Sequence, residues 1–438
     1  MLEPGDLALT HQGGTILNEL IIFVITIFAV LGGLDKLAGN KFGIGEEFAK
    51  AFQSMGAISL SMIGIISLAP VLANLLMPII TPIYLFLGSD PSMFASTIFA
   101  LDMGGYKLSM EMAKEAQAAD FSWVFLGTMM GPTLVFTIPV ALNLISKEDQ
   151  PFFAKGILIG LMTIPLGCIV GGMIAGFELW WMLRNLIPTI GISIVIMISL
   201  AKYPKLTTRF FIIFSKVIES VLIIGLVIII FQTLTGVEWI DNLVPISESF
   251  KTVGNITIIL AGAFPLIFIL QKLLKEPFKK LGMKIGMNDH ALVGLLSSLA
   301  HHVPMFSNFK AIDNRGKVVN TSFAVSGSFV MGSHLGFVAA VDQAFIIPMI
   351  VGKLTAGILA VSVAYLVTNN DRLNKSIKEG KNMGIKSKEN FNTLINKYRL
   401  EILNDKELLE KIEIEIENRQ INGVEGTKDN TKDSQKSS

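Results

Sequence analysis

The sequence of 438 residues contains one cysteine and little charge, since Asp, Glu, Lys and Arg together make up 16% of it. The lone cysteine, Cys168, excludes an intrachain disulfide bond. Lys and Arg lie in short loops rather than on one continuous face, which argues against a nucleic-acid-binding protein. Residues 1–14 contain neither Lys nor Arg and so lack the positive start of a cleavable signal peptide. We therefore expect the first apolar segment to be retained as a membrane span.

Apolar residues dominate the chain: 51% are hydrophobic and the mean hydropathy is +0.60, which is typical of a membrane protein. A helix that crosses about 30 Å of hydrocarbon needs about 20 mostly apolar residues. The candidate spans are 15–34, 51–87, 121–145, 156–177, 186–203, 210–234, 252–273, 318–340 and 345–368. The segment 291–300 is too short to cross and predicts a half-helix or a re-entrant piece. The predicted fold is an all-α polytopic membrane protein.

Orientation follows from the distribution of Lys and Arg between the loops. If 51–87 crosses once and both 91–118 and 291–310 are re-entrant, one side of the membrane holds only Lys107, Lys114, Arg184 and Lys251. The basic side is the cytoplasmic one. This predicts an external N-terminus at 1–14, a cytoplasmic C-terminus and a location in the bacterial inner membrane. Three prolines, Pro70, Pro78 and Pro82, leave open a division of 51–87 into two crossings, which would invert everything before it.

A carboxylate stands beside a Gly-Gly break between two short predicted helices, 91–99 and 107–118. Asp102 is followed by Met103, then by Gly104, Gly105 and Tyr106. A carboxylate between two half-helices at membrane depth is typical of solute and ion transporters. Glycines let a backbone approach a ligand closely, and a tyrosine offers its ring face to an ammonium group. The pattern predicts a site for a cationic solute, a proton or sodium; an extramembrane turn is the alternative.

Two parts of the chain, 15–209 and 210–369, present similar features in the same order. Each has a span after a glutamate, a proline-containing apolar segment, a broken segment, a span rich in small residues and a final glycine-rich span. Five predicted crossings separate equivalent elements, and an odd offset predicts repeats of inverted topology. Inverted repeats would bring the two broken segments together near the midplane. Chance similarity between apolar segments is the alternative.

The second broken segment contains His301 and His302, which follow a predicted half-helix. Ser333 and His334 lie in the next span. Neutral imidazoles accept hydrogen bonds or relay protons near neutral pH, so these four residues are candidates for solute binding. The alternative is that the histidines pack or lie at the interface. Adjacent histidines project in different directions on a helix, which argues against a shared metal ion.

Three charged residues near or within spans are candidates for other roles. Glu19 and Glu219 stand near span starts and are candidates for proton coupling, although Glu219 follows Lys216 on the same helical face and could form an intrahelical pair with it. Lys353 lies within the last span, where it either snorkels or pairs with Asp342 or a site carboxylate.

The region 370–438 differs from the rest in being polar and highly charged. From 387 onward, apolar residues recur at helical spacing, as in Phe391, Leu394, Ile395 and Tyr398. We interpret this tail as a solvated helical hairpin with a disordered end, and a docking or oligomerising helix is the alternative.

The sequence from about 15 to 368 resembles the bacterial ethanolamine permeases. The matching motifs are Leu68-Ala69-Pro70-Val71-Leu72-Ala73-Asn74, Asp102-Met103-Gly104-Gly105-Tyr106, Met130-Gly131 with Ile138-Pro139-Val140, Pro165-Leu166-Gly167-Cys168, Asn314-Arg315-Gly316-Lys317 and His334-Leu335-Gly336-Phe337. The resemblance implies a permease for ethanolamine or a related amino-alcohol, without a cofactor or a bound metal. The tail lies outside it.

The chain departs from the family pattern at three places. Leu101 stands where the family has Asn before the Asp-Met-Gly-Gly run, His301-His302 stand where it has paired Asn, and Ser333 stands where it has Asp. Loss of a carboxylate and gain of imidazoles are expected to weaken the binding of a small ammonium alcohol or to make it pH-dependent.

The sequence therefore predicts a permease and not an enzyme, with a small amine and membrane lipid as its partners; the oligomeric state stays open. In the binding site, Asp102 pairs with the ammonium group, and Tyr106, His301, His302 and Ser333 orient the rest of the solute. An intramembrane metal-dependent enzyme using His301, His302 and Asp102 is one alternative. A membrane sensor that signals through the tail is another.

Overall fold

The computed structural model describes the backbone of residues 4–284 and 286–382 and the side chains of 16–277 and 286–369. All regular structure in this part of the chain is helical. Eight of its helices are long and apolar enough to cross a membrane. The all-α polytopic fold is thus confirmed, and the protein is a multi-pass membrane protein. By contacts the chain divides into a large unit, 1–282 with 287–364, and a small one, 283–286 with 365–438.

The helices of the first half are α1 (Pro4–Leu37), α2 (Ile44–Phe86), α3 (Ser92–Ile98), α4 (Gly105–Met112), α5 (Ala116–Phe121), α6 (Gly127–Pro132), α7 (Ile138–Leu144) and α8 (Gln150–Ile174). A connecting helix, α9 (Leu179–Lys202), leads to the second half. There follow α10 (Pro204–Thr235), α11 (Ile246–Lys284), α12 (Asp289–Ala300), α13 (Val303–Ser307), α14 (Asn314–Ser326), α15 (Ser333–Val341) and α16 (Ile346–Asn382).

The segment predicted at 51–87 forms one helix, α2, with all three prolines inside it. At 43 residues it is long enough to cross once and continue beyond the bilayer. Gly64 lies against α10 so closely that a Cβ there would overlap the carbonyl oxygen of Leu222. Packing against a neighbouring helix is one way in which membrane helices tolerate internal proline.

The span from Ala116 to Leu144 forms the centre of the large unit, and 89% of its most apolar window is buried. Two π-helical stretches, Ser122–Leu126 and Thr133–Thr137, interrupt its α-helical geometry. Stretches of π-helix inside α-helices frequently lie at functional sites. Both flank α6, which contacts the first half-helix of the broken segment, α3.

The prediction of one continuous span at 318–340 is wrong. Here α14 ends at Ser326 and α15 begins at Ser333, with non-helical residues between them. Within this break Phe329 has a φ of 62°, and the amides of Phe329 and Met331 each donate to the end of α12, to Ser298 O and Leu299 O, at 3.0 Å. The helix is interrupted because its backbone pairs with another segment instead of with itself.

The contacts of α8 show the directions in which two neighbouring helices, α14 and α16, run relative to it. Gly156 lies against Thr321 and Gly160 against Val325, so α14 runs parallel to α8. Gly171 and Gly167 lie against Pro348 and Gly352 in the reverse order, so α16 runs antiparallel to α8. The repeat argument pairs α8 with α16; the inverted topology itself stays a prediction.

The C-terminal part of the chain lies beyond 368, where the family resemblance ends. The last described helix, α16, continues past 369 to Asn382. Residues after 382 lie outside the described part of the chain, so the helical hairpin predicted from 387 onward stays a prediction.

Candidate functional site

The first broken segment, which we call hairpin 1 (90–114), enters the helix bundle and returns to its starting side. The Asp90 carboxylate closes it, because it accepts from Ser92 N at 2.8 Å and from Lys114 N at 2.9 Å. Inside, the hydroxyls of Ser96 and Ser109 lie 2.8 Å apart. The second half-helix, α4, ends at Met112, earlier than the predicted 118. A segment whose two ends meet is re-entrant, as predicted.

Glycine shapes the tip of hairpin 1. After α3 the chain forms a short 3-10 turn at Leu101–Met103, and the amide of Gly105 donates to Ala100 O at 2.8 Å. Gly104 has a φ of 107°, and a Cβ there would overlap the side chain of Ile65. At Gly105 a Cβ would lie 2.6 Å from Phe99 O. Both positions therefore require glycine, which explains the Gly-Gly pair.

Asp102 lies in this tip, half-buried, beside a narrow cavity lined by residues of α2, hairpin 1 and α15. Within the described residues its carboxylate has no ion-pair partner and accepts a hydrogen bond only from its own backbone. Tyr106 borders the same cavity and packs edge-on against Trp123 and Phe337, with ring centroids 5.2 and 5.6 Å away. The cavity leaves no room for a water molecule in this structure, so its walls would have to move apart to admit a solute.

The second broken segment, hairpin 2 (288–313), is re-entrant in the same way. The Asp313 carboxylate closes it by accepting from Asn288 N at 2.9 Å and from Gly316 N at 3.1 Å. The Asn288 side chain adds a bond to Ala311 O at 2.8 Å. In each hairpin one aspartate thus links the two ends of the segment. We call the place where these ends meet the mouth of the hairpin.

The two mouths lie at opposite ends of α8. The mouth of hairpin 2 continues into α14, where Lys317 forms a buried ion pair of 2.6 Å with Asp149, just before α8 begins. The mouth of hairpin 1 contacts α9, which follows the other end of α8, through a bond of 2.7 Å from Asp90 N to Asn185 Oδ1. The hairpins therefore enter the bundle from opposite directions.

Imidazoles occupy the tip of hairpin 2. His302 is fully buried, with ring centroids 4.6 Å from Phe329, 5.2 Å from Phe306 and 5.6 Å from Phe136. Neither of its ring nitrogens has a hydrogen-bond partner in the described part of the chain. His301 is exposed, and its Nδ1 accepts from Val303 N at 3.2 Å.

His334 joins this group from α15. It is 2% exposed, its ring centroid lies 4.8 Å from Phe329, and its Nδ1 has no partner among the described residues. Ser333, directly before it, is half-buried. Lys353 of α16 is buried as well and donates to the carbonyl oxygen of Thr128. The prediction that Lys353 snorkels or pairs with a carboxylate is wrong; it binds a backbone carbonyl of the π-interrupted span.

The structure thus divides the predicted site residues into two groups. Asp102, Gly104, Gly105 and Tyr106 line or shape the cavity of hairpin 1, and His301, His302 and His334 gather around Phe329. No hydrogen bond joins Asp102 to an imidazole in the described residues. The helix α15 links the groups, because it contributes His334 to one and Phe337 to the other. Phe136 and Phe329 were missed in the sequence, where apolar residues of spans carry no signal that distinguishes them, and Phe337 was noted only as the end of a matching motif.

The coupling candidates lie elsewhere. Glu19 on α1 and Glu219 on α10 are both exposed, and neither makes an ion pair in the described part of the chain. Lys216, the predicted helical partner of Glu219, is exposed too. Over the same residues, no group of three or more His, Cys, Asp or Glu side chains is arranged to share a metal ion.

A family model described as "Ethanolamine utilisation protein, EutH" matches residues 17–367. The chain belongs to the EutH family. The match confirms the resemblance found in the sequence and has the same extent, ending before the polar tail. It includes both hairpins and every residue of the two groups.

Relatives within the curated proteins cover most of this EutH family member. It is 49% identical over 351 residues to "Uncharacterized protein YxeR" of Bacillus subtilis, covering 80% of this chain and 95% of that protein. It is 47% identical over 363 residues to "Probable ethanolamine permease EutH" of Listeria monocytogenes, with coverage of 83% and 97%. A protein of the same name from Salmonella typhimurium is 38% identical over 393 residues, with coverage of 81% and 96%. No solved structure matches the chain.

Proposed function

We propose that this EutH family member is a membrane permease that carries ethanolamine or a closely related small amine. The observation that carries the proposal is the Asp102 carboxylate, which stands at the tip of a re-entrant hairpin, beside a small cavity that Lys107 also lines, and makes no ion pair in the described residues. An ionised carboxylate at membrane depth is costly unless a cation completes it. We choose ethanolamine as the cation because the Listeria and Salmonella relatives are named probable ethanolamine permeases.

An ammonium group is chemically complementary to Asp102 and Tyr106, which line this cavity. Two unit charges about 4 Å apart attract each other by about 4 kcal/mol at an effective dielectric constant near 20, and an aromatic ring face adds about 0.5–2 kcal/mol. Asp102 supplies the charge and Tyr106 the ring and a hydroxyl group. Gly104 and Gly105 keep the backbone close to the solute. The amine is bound and released unchanged, so no catalytic residue is needed.

The imidazole group supplies the contacts for the hydroxyl of the solute. Both ring nitrogens of His302 and Nδ1 of His334 are buried without a hydrogen-bond partner among the described residues, and a buried polar atom gains most from a partner that arrives with the ligand. A neutral imidazole both donates and accepts hydrogen bonds, as an alcohol does. His301 and Ser333 contribute further polar atoms at the same tip.

The mechanism we propose is alternating access between two inverted repeats, 15–209 and 210–369. It is supported by the antiparallel packing of α8 and α16 and by the opposite entry of the two hairpins. In such folds the solute lies where the repeats meet, and each repeat gives access from one side. We place the protein in the bacterial inner membrane, with the N-terminal 1–14 outside and the tail, 370–438, in the cytoplasm.

The test is uptake of labelled ethanolamine into proteoliposomes, with protein-free liposomes as the control. We expect saturable uptake, inhibited by ethylamine, which has the ammonium group, and not by ethylene glycol, which lacks it. An imposed pH gradient distinguishes proton-coupled transport, in which the gradient drives accumulation, from facilitated diffusion, in which it does not. Absence of saturable uptake of any small amine would contradict the proposal.

A further inference from the structure

Two charged side chains lie in the middle of a membrane-spanning helix and face outward. The helix α10 runs from Pro204 to Thr235, so Lys216 and Glu219 stand near its centre, and the prediction that Glu219 lies near the start of its span is wrong. Both are exposed. Leu222, one turn further along, contacts Gly64 of α2, which also lies near the middle of its own helix. Lys216 and Glu219 are therefore at the depth of the hydrocarbon and on the outer surface of the bundle.

Neither charge is compensated within the described part of the chain. Lys216 and Glu219 make no ion pair there, even with each other. The neighbouring hydroxyls are occupied, since Ser215 and Ser220 bond to the backbone of α10 itself. Lysine can extend toward the interface, but glutamate is too short to do so from the centre of a span. Charged residues in membrane spans almost always face a protein interior or pair with each other.

Other lipid-facing helices differ from α10 in this respect. The exposed residues in the middle of α9 are apolar, among them Ile187, Ile194, Val195 and Ile198. In α1 the exposed Glu19 lies near the start of the apolar span 16–37, and the exposed residues further along that span are apolar, as in Phe23, Ile27 and Val30. Those helices have the surface expected next to lipid. The face of α10 does not.

We propose that this face of α10 is the contact surface of a homodimer in the membrane. Exposed residues along one side of the helix form the surface: Ile213, Lys216, Glu219, Ser220, Ile223 and Val227. Each lies three or four residues from another member of the set, which places them on one side of the helix. The small Ser220 at its centre allows two helices to approach closely, as small residues do in membrane helix pairs.

The occupant is a second copy because the surface is complementary to itself. A two-fold axis along the membrane normal places two parallel α10 helices face to face, in an isologous interface. Lys216 and Glu219 differ in depth by about 4.5 Å, a separation that lysine's flexible side chain can bridge. Lys216 then reaches the partner's Glu219, while Glu219 receives the partner's Lys216. One contact neutralises all four charges.

Cross-linking in membranes tests the surface. The native cysteine is first removed as Cys168→Ala. Ile223→Cys then places a thiol on this contact surface, and Val195→Cys places one on the exposed face of α9 as the matched control. With a short bis-maleimide we expect a dimer from Ile223→Cys and none from Val195→Cys. Dimers from the control alone, or from neither variant, would overturn the proposal.

A charge exchange tests the pairing. In nanodiscs or mild detergent, Glu219→Lys alone is expected to weaken dimerisation about tenfold, because like charges then meet. The double variant Lys216→Glu with Glu219→Lys is expected to restore it. Should Glu219→Lys fail to fold, Glu219→Gln is used, with a smaller loss expected. A monomeric wild type, an unaffected Glu219 variant or a double variant that stays weakened would each overturn the proposal. Uptake is not the readout, so these results are independent of the proposed transport.

Discussion

The two re-entrant hairpins share their construction and differ in their tips. Each is closed at its mouth by one aspartate that accepts from backbone amides at both ends, Asp90 in hairpin 1 and Asp313 in hairpin 2. The tip of hairpin 1 presents a carboxylate beside a cavity, and the tip of hairpin 2 presents imidazoles against aromatic rings. The hydrogen bonds that close the mouth occur in both hairpins, whereas the side chains at the two tips differ.

This difference suits a solute with two unlike ends. An amino-alcohol has a cationic end and a neutral, hydrogen-bonding end, and a site with two identical tips would serve one of them poorly. In the proposed function, a shared scaffold with divergent tips separates the residues that hold the fold from those that we propose to select the solute. The predictions below test that separation, first at the scaffold and then at the tips.

The largest loss of stability is expected where the tip of each hairpin packs against a glycine of another segment. Gly131 lies against Phe99 O and Gly332 against Ala300 O so closely that a Cβ would overlap the carbonyl oxygen. We expect Gly131→Ala and Gly332→Ala each to destabilise the protein by about 3 kcal/mol, since a backbone carbonyl cannot move aside. Thermal unfolding of the purified variants measures this. Gly191→Ala is the control, because nothing lies near its Cβ position. A loss at only one of the two glycines would break the structural equivalence of the hairpins.

A smaller loss of stability, equal in the two hairpins, is expected at their mouths. Asp90→Ala and Asp313→Ala each remove a carboxylate that accepts two backbone hydrogen bonds. The expected cost is about 2 kcal/mol in each case, typical of the loss of a capping carboxylate and its charged hydrogen bonds. Thermal unfolding again provides the measurement, with the exposed Asp241→Asn as the control. Retained stability would show that the mouths are held by other contacts.

The tips are expected to respond differently from the scaffold. His302→Phe removes two buried ring nitrogens that have no hydrogen-bond partner in the described part of the chain, so we expect no loss of stability. The preference for ethanolamine over ethylamine is expected to fall about tenfold, the equivalent of one lost hydrogen bond to the hydroxyl. Inhibition of uptake by the two amines measures it. His290→Phe, at the mouth of hairpin 2, is the control. An unchanged preference would remove His302 from the site.

The span positions could be predicted because each crossing must be apolar over a fixed length. The Gly-Gly pair likewise predicted a break at Asp102, because only glycine tolerates the backbone at Gly104. The break between α14 and α15 could not be predicted. The stretch 318–340 has the composition of a continuous span, and its interruption depends on pairing with Ser298 and Leu299, which are distant in the chain.

The division of the site into two groups was also beyond the sequence. His334 and Phe337 are neighbours on α15, yet one joins the imidazoles and the other the Asp102 cavity. Which tip each residue meets depends on how the hairpins dock on α15, and local patterns contain no information on that docking. The exposure of Glu19 and Glu219 depends in the same way on helix packing.

The central claim, that Asp102 holds the ammonium group, is tested most directly by comparing Asp102→Asn with Asp241→Asn in ethanolamine uptake. Both variants lose one carboxylate, but only the first lies beside the cavity. The account predicts that Asp102→Asn lowers uptake at limiting ethanolamine by about a hundredfold or more, as expected for the loss of a close charge pair, while Asp241→Asn transports as the wild type does. Equal uptake by the two variants would contradict the account.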